Sequence, residues 1–234
     1  MDWNLTANLF ETTTRRRFPA MHSLLEDHYW KCKGAAERNP ADEDFAVMLT
    51  RVTAAHAAWN STSGSRMVCL GQYKSKTYTM RKVIADLRGK HIAKWDAMVS
   101  STDALQESWL PGTPGHLQFF PNGRKPFQQG PVESRIRSVD ALAKGLTGVP
   151  VMATVAGLVT AFHSVIRTAR TEQQAAGAAF SSRSHELETQ RKAAAIVLQK
   201  NMARLMEKYA ERPEKILTFF DLKNVRAKRR KKEK

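Results

Sequence analysis

Histidine and cysteine side chains near the start of the chain have a spacing that could bind a metal. His28 and Cys32 lie four residues apart, about one helical turn, and His22 precedes them by six residues. A zinc site usually needs further ligands from elsewhere in the chain, and no matching pair follows. We therefore interpret His28 and Cys32 as core residues and predict no metal and no cofactor.

Motifs of known enzymes are incomplete or missing. His185-Glu186 begins like the helix motif of zinc proteases, but Thr189 stands where the second histidine ligand would be. We find no phosphate-binding glycine loop, no G-x-S-x-G and no dinucleotide motif. The sequence therefore predicts neither an enzyme nor a small-molecule substrate. The enzyme alternative would need a deep pocket lined by polar groups near His22, His28 and Cys32.

The charge of the chain indicates what it could contact. Among 234 residues, 38 Lys and Arg outnumber 22 Asp and Glu, which gives a formal net charge of +16. A charge of this size bears on partners and solubility and not on fold. It favours nucleic acid, an anionic membrane surface or an acidic protein surface as the partner.

Three clusters hold the candidate anion contacts. Residues 223–234 (KNVRAKRRKKEK) contain eight basic residues and one acidic residue, and such a run can neutralise phosphates without reading sequence. A second cluster lies within residues 74–94, and residues 121–127 (PNGRKPF) place two cations beside aromatics. The predicted contacts are Lys74, Arg81, Lys82, Arg88, Lys90, Lys94, Arg124, Lys125, Arg226, Lys228, Arg229, Arg230, Lys231 and Lys232.

Each cluster also has a structural interpretation that the sequence leaves open. The 223–234 segment can be a solvated tail. The cations of 74–94 can be the solvent face of a coiled coil, paired with Glu172, Glu186 and Glu188. Asn122-Gly123 is a turn signal, and Phe127 suits a core.

A hydrophobic period of 3.5 residues predicts the elements that position these clusters. It indicates an all-α, elongated helical bundle around two long antiparallel coiled-coil-like helices, at about 41–101 and 150–211. We expect the first helix to continue through the weak stretch Ser61–Arg66. The predicted inward stripe of the first helix includes Phe45, Leu49, Val52, Trp59, Met80, Ile84, Leu87, His91, Lys94 and Met98.

Shorter segments are expected to thicken the ends of the bundle. Residues 18–37 and 132–145 are amphipathic, and the Pro/Gly/aromatic loop 110–131 is expected to be ordered by its phenylalanines. We predict a single elongated domain over 1–222 and a basic, disordered arm over 223–234.

The middles of the two long helices are polar or small. Ser63 and Arg66 lie in one, and Gln173 and Ala176 lie in the other. The two middles are expected to meet in an antiparallel pair and to pack loosely. A homo-oligomer, in which the long helices pair between chains, has the same pattern.

The uncharged stretch 145–166 is long enough to span a bilayer. Its proline, threonines and His163 make it only moderately apolar, so a helix buried in a bundle is the favoured interpretation. Two cysteines and no basic-then-apolar start predict a reducing intracellular compartment, cytoplasmic or nucleoid/nuclear.

Together these patterns predict a non-enzymatic protein that contacts nucleic acid, or an assembly containing it, largely independently of sequence. The alternative is a structural or scaffolding helical rod that mediates protein–protein assembly.

Overall fold

The computed structural model describes residues 18–102 and 109–220, and all regular elements in these ranges are helical. In chain order they are α1 (Phe18–Arg38), α2 (Glu43–Asp86), a π-helical turn (Leu87–His91), α3 (Ile92–Ser100), α4 (Pro114–Phe119), α5 (Lys125–Gln128), α6 (Val132–Thr147), a 3-10 turn (Pro150–Met152), α7 (Ala153–Lys208) and a 3-10 segment (Pro213–Phe219). The predicted arm, including Arg226, Lys228, Arg229, Arg230, Lys231 and Lys232, lies outside the described residues.

Local chemistry explains where several helices begin. Glu43 and Asp44 occupy the first turn of α2, where carboxylates interact favourably with the helix dipole. The Thr113 hydroxyl accepts the backbone N–H of His116 at the start of α4. Pro150 opens the second long helix, where its missing N–H costs little.

Two long helical runs, of 58 and 59 residues, pack against each other. Arg204 Nε lies 2.6 Å from Asp44 Oδ1, and Arg66 Nε lies 3.1 Å from Ser184 Oγ. A later residue of α2 thus contacts an earlier residue of α7, so the two helices are antiparallel. The predicted fold class is confirmed, and α2 continues without a break through Ser61–Arg66.

The chain divides into two compact units, each with its own hydrophobic core. Unit 1 comprises residues 1–69 and 180–234, and unit 2 comprises residues 70–179. In unit 1, α1 and the last 3-10 segment complete the core formed by the long helices. In unit 2, α4, α5 and α6 do so. The prediction of one domain over 1–222 stays a prediction.

The middle of each long helix contributes no buried residue. Burial stops at Thr62 and resumes at Met80 in α2, and it stops at Ala169 and resumes at Leu187 in α7. This is the predicted loose packing, and the two middles meet as predicted, because Thr77 contacts Gln173 and Arg66 contacts Ser184.

Within this contact, the residues that meet are offset by about two turns from the pairing of Ser63 and Arg66 with Gln173 and Ala176. Arg66 lies against Phe180 and Ser184 in unit 1. Gln173 donates to the Thr77 hydroxyl in unit 2 at 3.3 Å. The 3.5-residue pattern sets which face is inward but not which turn of the partner helix lies opposite.

The π-helical turn corrects the predicted stripe beyond Leu87. The N–H of Ile92 donates to the carbonyl of Leu87, five residues back, so this turn holds one residue more than an α-helical turn. The inward positions after it therefore shift by one: the buried residues are Ile92, Trp95, Asp96 and Val99. The predicted stripe positions His91, Lys94 and Met98 are displaced, and Lys94 is exposed.

The loop 110–131 is ordered by its aromatic residues, as predicted. Phe119, Phe120 and Phe127 are buried in the core of unit 2. Trp109 stacks on Phe119 with ring centroids 5.1 Å apart. These contacts hold the short helices α4 and α5 on the bundle.

A buried polar cluster in unit 1 holds α1, α2, α7 and the last 3-10 segment together. His28 Nδ1 donates to the carbonyl of Phe219 at 3.0 Å. The Asn201 amide donates at 3.1 Å both to His28 Nε2 and to the carbonyl of Met48. His28 is fully buried, and the Cys32 thiol lies 3.4 Å from its Nε2. These contacts assign the neutral imidazole, protonated on Nδ1.

The His28 cluster predicts a stability that depends on pH. Burial lowers the pKa of His28 from 6.5 to about 4, although the Phe219 carbonyl acts in the opposite direction. As pH falls below 6.5 the unfolded chain takes up this proton first, so stability is full above that pH and declines toward pH 4. We expect this group to reduce the free energy of unfolding by about 3 kcal/mol across the window.

Urea denaturation at several pH values measures this decline. His28→Gln should be less stable at neutral pH and should lose less stability between pH 6.5 and 4 than the parent. His185→Gln, which removes an exposed histidine outside this cluster, is the matched control. Parallel pH profiles for His28→Gln and the parent would contradict the assignment.

Candidate functional site

Among the residues that the structure describes, net positive charge is concentrated in unit 2. Residues 70–179, which form unit 2, carry 14 Lys and Arg against 7 Asp and Glu. The described part of unit 1, residues 18–69 and 180–220, carries 13 against 11. The candidate anion contacts in the described residues therefore lie in unit 2.

The outer face of α2 holds most of these contacts, and we call Lys74, Arg81, Lys82 and Arg88 the basic ridge. All four are exposed, and Arg88 lies in the π-helical turn that follows α2. None has an acidic partner among the described residues. The ridge is thus a row of cations whose charge is not neutralised by the described part of the protein.

The neighbouring cations are partly neutralised. Lys90 Nζ lies 3.1 Å from Asp86 Oδ1 in an exposed pair. Lys76 Nζ lies 2.8 Å from Glu172 Oε2 on α7. Lys94 is exposed and has no acidic partner among the described residues. The predicted pairing of this region with Glu172 therefore involves Lys76 and none of the ridge cations.

Tyr78 was not among the predicted site residues, yet it lies in the centre of the ridge. Its side chain is 72% exposed. On a helix its neighbours are the residues three and four positions away, and these include Lys74, Arg81 and Lys82. The sequence alone shows this tyrosine with cations at i−4, i+3 and i+4, a pattern that indicates the same cluster on a helix.

Arg124 has a structural partner. Arg124 Nε lies 2.6 Å from Asp96 Oδ2, and His116 Nε2 lies 2.7 Å from Asp96 Oδ1. Asp96 and His116 are buried, and His116 stacks on Phe120. The carboxylate thus joins α3 to α4 and to the turn before α5.

We call the cluster of Asp96, His116 and Arg124 the Asp96 clasp. Its electrostatics favour an ionised Asp96. Burial raises the pKa of Asp96, but the hydrogen bonds from His116 and Arg124 outweigh it and hold the pKa below its ordinary value. Arg124 is therefore engaged in the fold, whereas Lys125 at the start of α5 is exposed and unpaired among the described residues. Of the two predicted loop contacts, Lys125 is the one left available.

The first histidine–cysteine cluster does not converge on a site. His28 and Cys32 are buried in the polar cluster described above, and burial raises the pKa of Cys32 to about 12. His22 is exposed and accepts a hydrogen bond from Trp59 Nε1 at 3.2 Å. Within residues 18–102 and 109–220, no group of three His, Cys, Asp or Glu side chains could hold a metal ion.

One described helix, Pro150–Lys208, is long enough and apolar enough to cross a membrane. Its most apolar window has a mean hydropathy of 1.3, and 28% of that window is buried. A core helix meets the same criterion, and this helix contributes Met152, Val159 and Ile166 to the core of unit 2. The length and composition of this helix are therefore weak evidence that it spans a membrane.

Comparison of the chain with protein families, with curated proteins and with solved structures finds no match in any of the three.

The Asp96 clasp predicts a large and local loss of stability. Asp96→Ala should lower the free energy of unfolding by about 3 kcal/mol, because Arg124 loses a largely buried counter-charge and His116 loses a buried hydrogen-bond acceptor. Asp86→Ala removes a carboxylate from the exposed pair with Lys90 and should change the same quantity by less than about 0.5 kcal/mol. Urea denaturation at neutral pH compares the two variants, and equal losses would contradict the proposed role of the clasp.

Proposed function

We propose that this chain is a non-enzymatic nucleic-acid-binding protein whose contacts are electrostatic and largely independent of sequence. The observation that carries the proposal is the basic ridge, an exposed row of cations without acidic partners among the described residues. A phosphate backbone supplies a regular row of the opposite charge, and its neutralisation releases counterions. The arm 223–234 adds a second basic segment of the same kind.

The contrast between neutralised and unneutralised cations supports this function over a plain solvent face. Cations that face another element are paired, as Lys76 with Glu172 and Arg170 with Glu133. The ridge cations on the outer face of α2 have no such partners within residues 18–102 and 109–220. Lys94 and Lys125 extend the exposed positive surface of unit 2, and Lys90 contributes through an exposed pair that a phosphate can replace.

A salt titration of binding to random-sequence DNA and RNA tests the function. For duplex DNA, each neutralised phosphate should contribute about −0.9 to the slope of log affinity against log salt concentration. The double variant Lys74→Gln/Arg81→Gln should therefore flatten the slope by up to about 1.8. A version that ends at Phe220 should flatten it further, because it lacks the arm.

The double variant Lys192→Gln/Lys200→Gln is the matched control, since it removes two exposed cations of unit 1. It makes the same change in net charge and should leave the slope unchanged. Equal effects of the two double variants would place the contacts elsewhere than the ridge. Absence of binding at low salt would reject nucleic acid as the partner.

Protein–protein assembly is the second candidate function, and one feature of unit 2 favours it. Val151, Leu158 and Val165 repeat every seven residues on the second long helix and are 45%, 41% and 52% exposed. No charged residue lies between Lys144 and Arg167. Two copies of this basic chain could meet on such a face without bringing their charges together.

Sedimentation tests this second function. If copies associate through this face, Leu158→Asp should shift the protein from dimer to monomer, because the interface would then bury unpaired charges. Thr79→Asp places the same charge on an exposed position of α2 and should leave the dimer intact. A parent protein that remains monomeric at high concentration would reject assembly through this face.

A further inference from the structure

We infer that the ridge binds single-stranded nucleic acid with one base stacked on the ring of Tyr78, an inference that rests on the function proposed above. Charge alone does not distinguish a duplex from a single strand. An exposed aromatic ring does, because the bases of a duplex already stack on one another, whereas those of a single strand are free to stack on a side chain.

The environment of Tyr78 is suited to a nucleotide. The ring takes part in no hydrogen bond or ring contact in the described part of the chain, and most of its surface is exposed. Lys74 lies about 6 Å before it along the helix axis, and Arg81 and Lys82 lie about 4.5 to 6 Å after it. A nucleotide whose base covers the ring has one phosphate on each side, so each phosphate has a cation within reach.

Trp30 provides a contrast within the same chain. Trp30 and Tyr78 are the exposed aromatic side chains of residues 21–102 and 109–220, and Trp30 is 54% exposed. The indole N–H of Trp30 donates to Glu26 at 2.9 Å, and Lys33 Nζ lies over the Trp30 ring, 5.0 Å from its centroid. The Trp30 ring is therefore already in contact with a cation of its own helix, whereas the Tyr78 ring has no such contact among the described residues.

The flanking positions carry no group that would oppose a nucleotide. The remaining residues three, four or seven positions from Tyr78 are Gly71, Ser75 and Ala85, which are small and uncharged. A base can therefore approach the ring from the solvent side without displacing a large side chain. We expect little dependence on base identity, since every base has a flat face.

Binding of two oligonucleotides of equal length and charge, oligo-dT and the same backbone with abasic sites, tests the inference at fixed low salt. The full-length protein should bind oligo-dT more tightly than the abasic strand. Tyr78→Ala should weaken binding of oligo-dT by about 5- to 150-fold, which corresponds to the loss of one stacked base, and should leave abasic binding unchanged. Tyr78→Phe, which keeps the ring, should bind oligo-dT like the parent.

Trp30→Ala is the matched control and should bind both strands like the parent, and circular dichroism confirms that each variant stays helical. Equal affinity of the parent for the two strands, or an equal loss on both strands in Tyr78→Ala, would overturn the stacking inference and leave the electrostatic function in place. Failure of the parent to bind either strand would overturn both.

Discussion

The structure depends on where two long helices have apolar residues to bury against each other. Helices of this length gain their stability from tertiary packing and not from propensity alone. The seam between α2 and α7 supplies buried residues at 45–62 with 187–205, and at 80–99 with 152–169. Neither set of buried residues from the long helices makes up a whole core, because each core also contains residues from shorter elements. The first recruits α1 and the last 3-10 segment, and the second recruits α4, α5 and α6. The protein has two separate cores because the buried apolar stripe of each long helix is interrupted in the middle of that helix.

That interruption explains why the candidate site is open to solvent. Around Tyr73 and Thr77, α2 packs on α7: the Tyr73 ring would lie 3.3 Å from a Cβ at Gly177, and Thr77 accepts from Gln173. Additional helices cover the core farther along unit 2 and are not needed where little apolar surface is buried. The outer side of α2 at Lys74 and Tyr78 is therefore free of packing demands, and its residue types reflect something other than the stability of the core.

The sequence predicted most of the fold because its signals are local. The 3.5-residue period, Pro150 and the amphipathic segment beginning at Phe18 each act within a few turns. The π-helical turn was missed because one extra residue leaves little trace in composition. The sequence does contain one indication of this turn: the 3.5-residue period places Lys94 in the apolar stripe, although the neighbouring Trp95 is better suited to a core. The engagement of Arg124 was unpredictable for a different reason: Asp96 is distant in sequence, and only tertiary structure brings the two together.

The pattern of ion pairs separates cations that hold the fold from cations that oppose it. Lys76, Arg124 and Arg170 each meet a carboxylate on another element and contribute to packing. The four ridge cations have no acidic partner among the described residues, and uncompensated charge of one sign opposes the compact state through self-repulsion. A solvent face selected for stability alone would interleave acids among them, as coiled coils do. The proposed nucleic-acid partner would relieve this repulsion, and the exposed ring of Tyr78 at the centre of the ridge is the reason for proposing a strand with accessible bases.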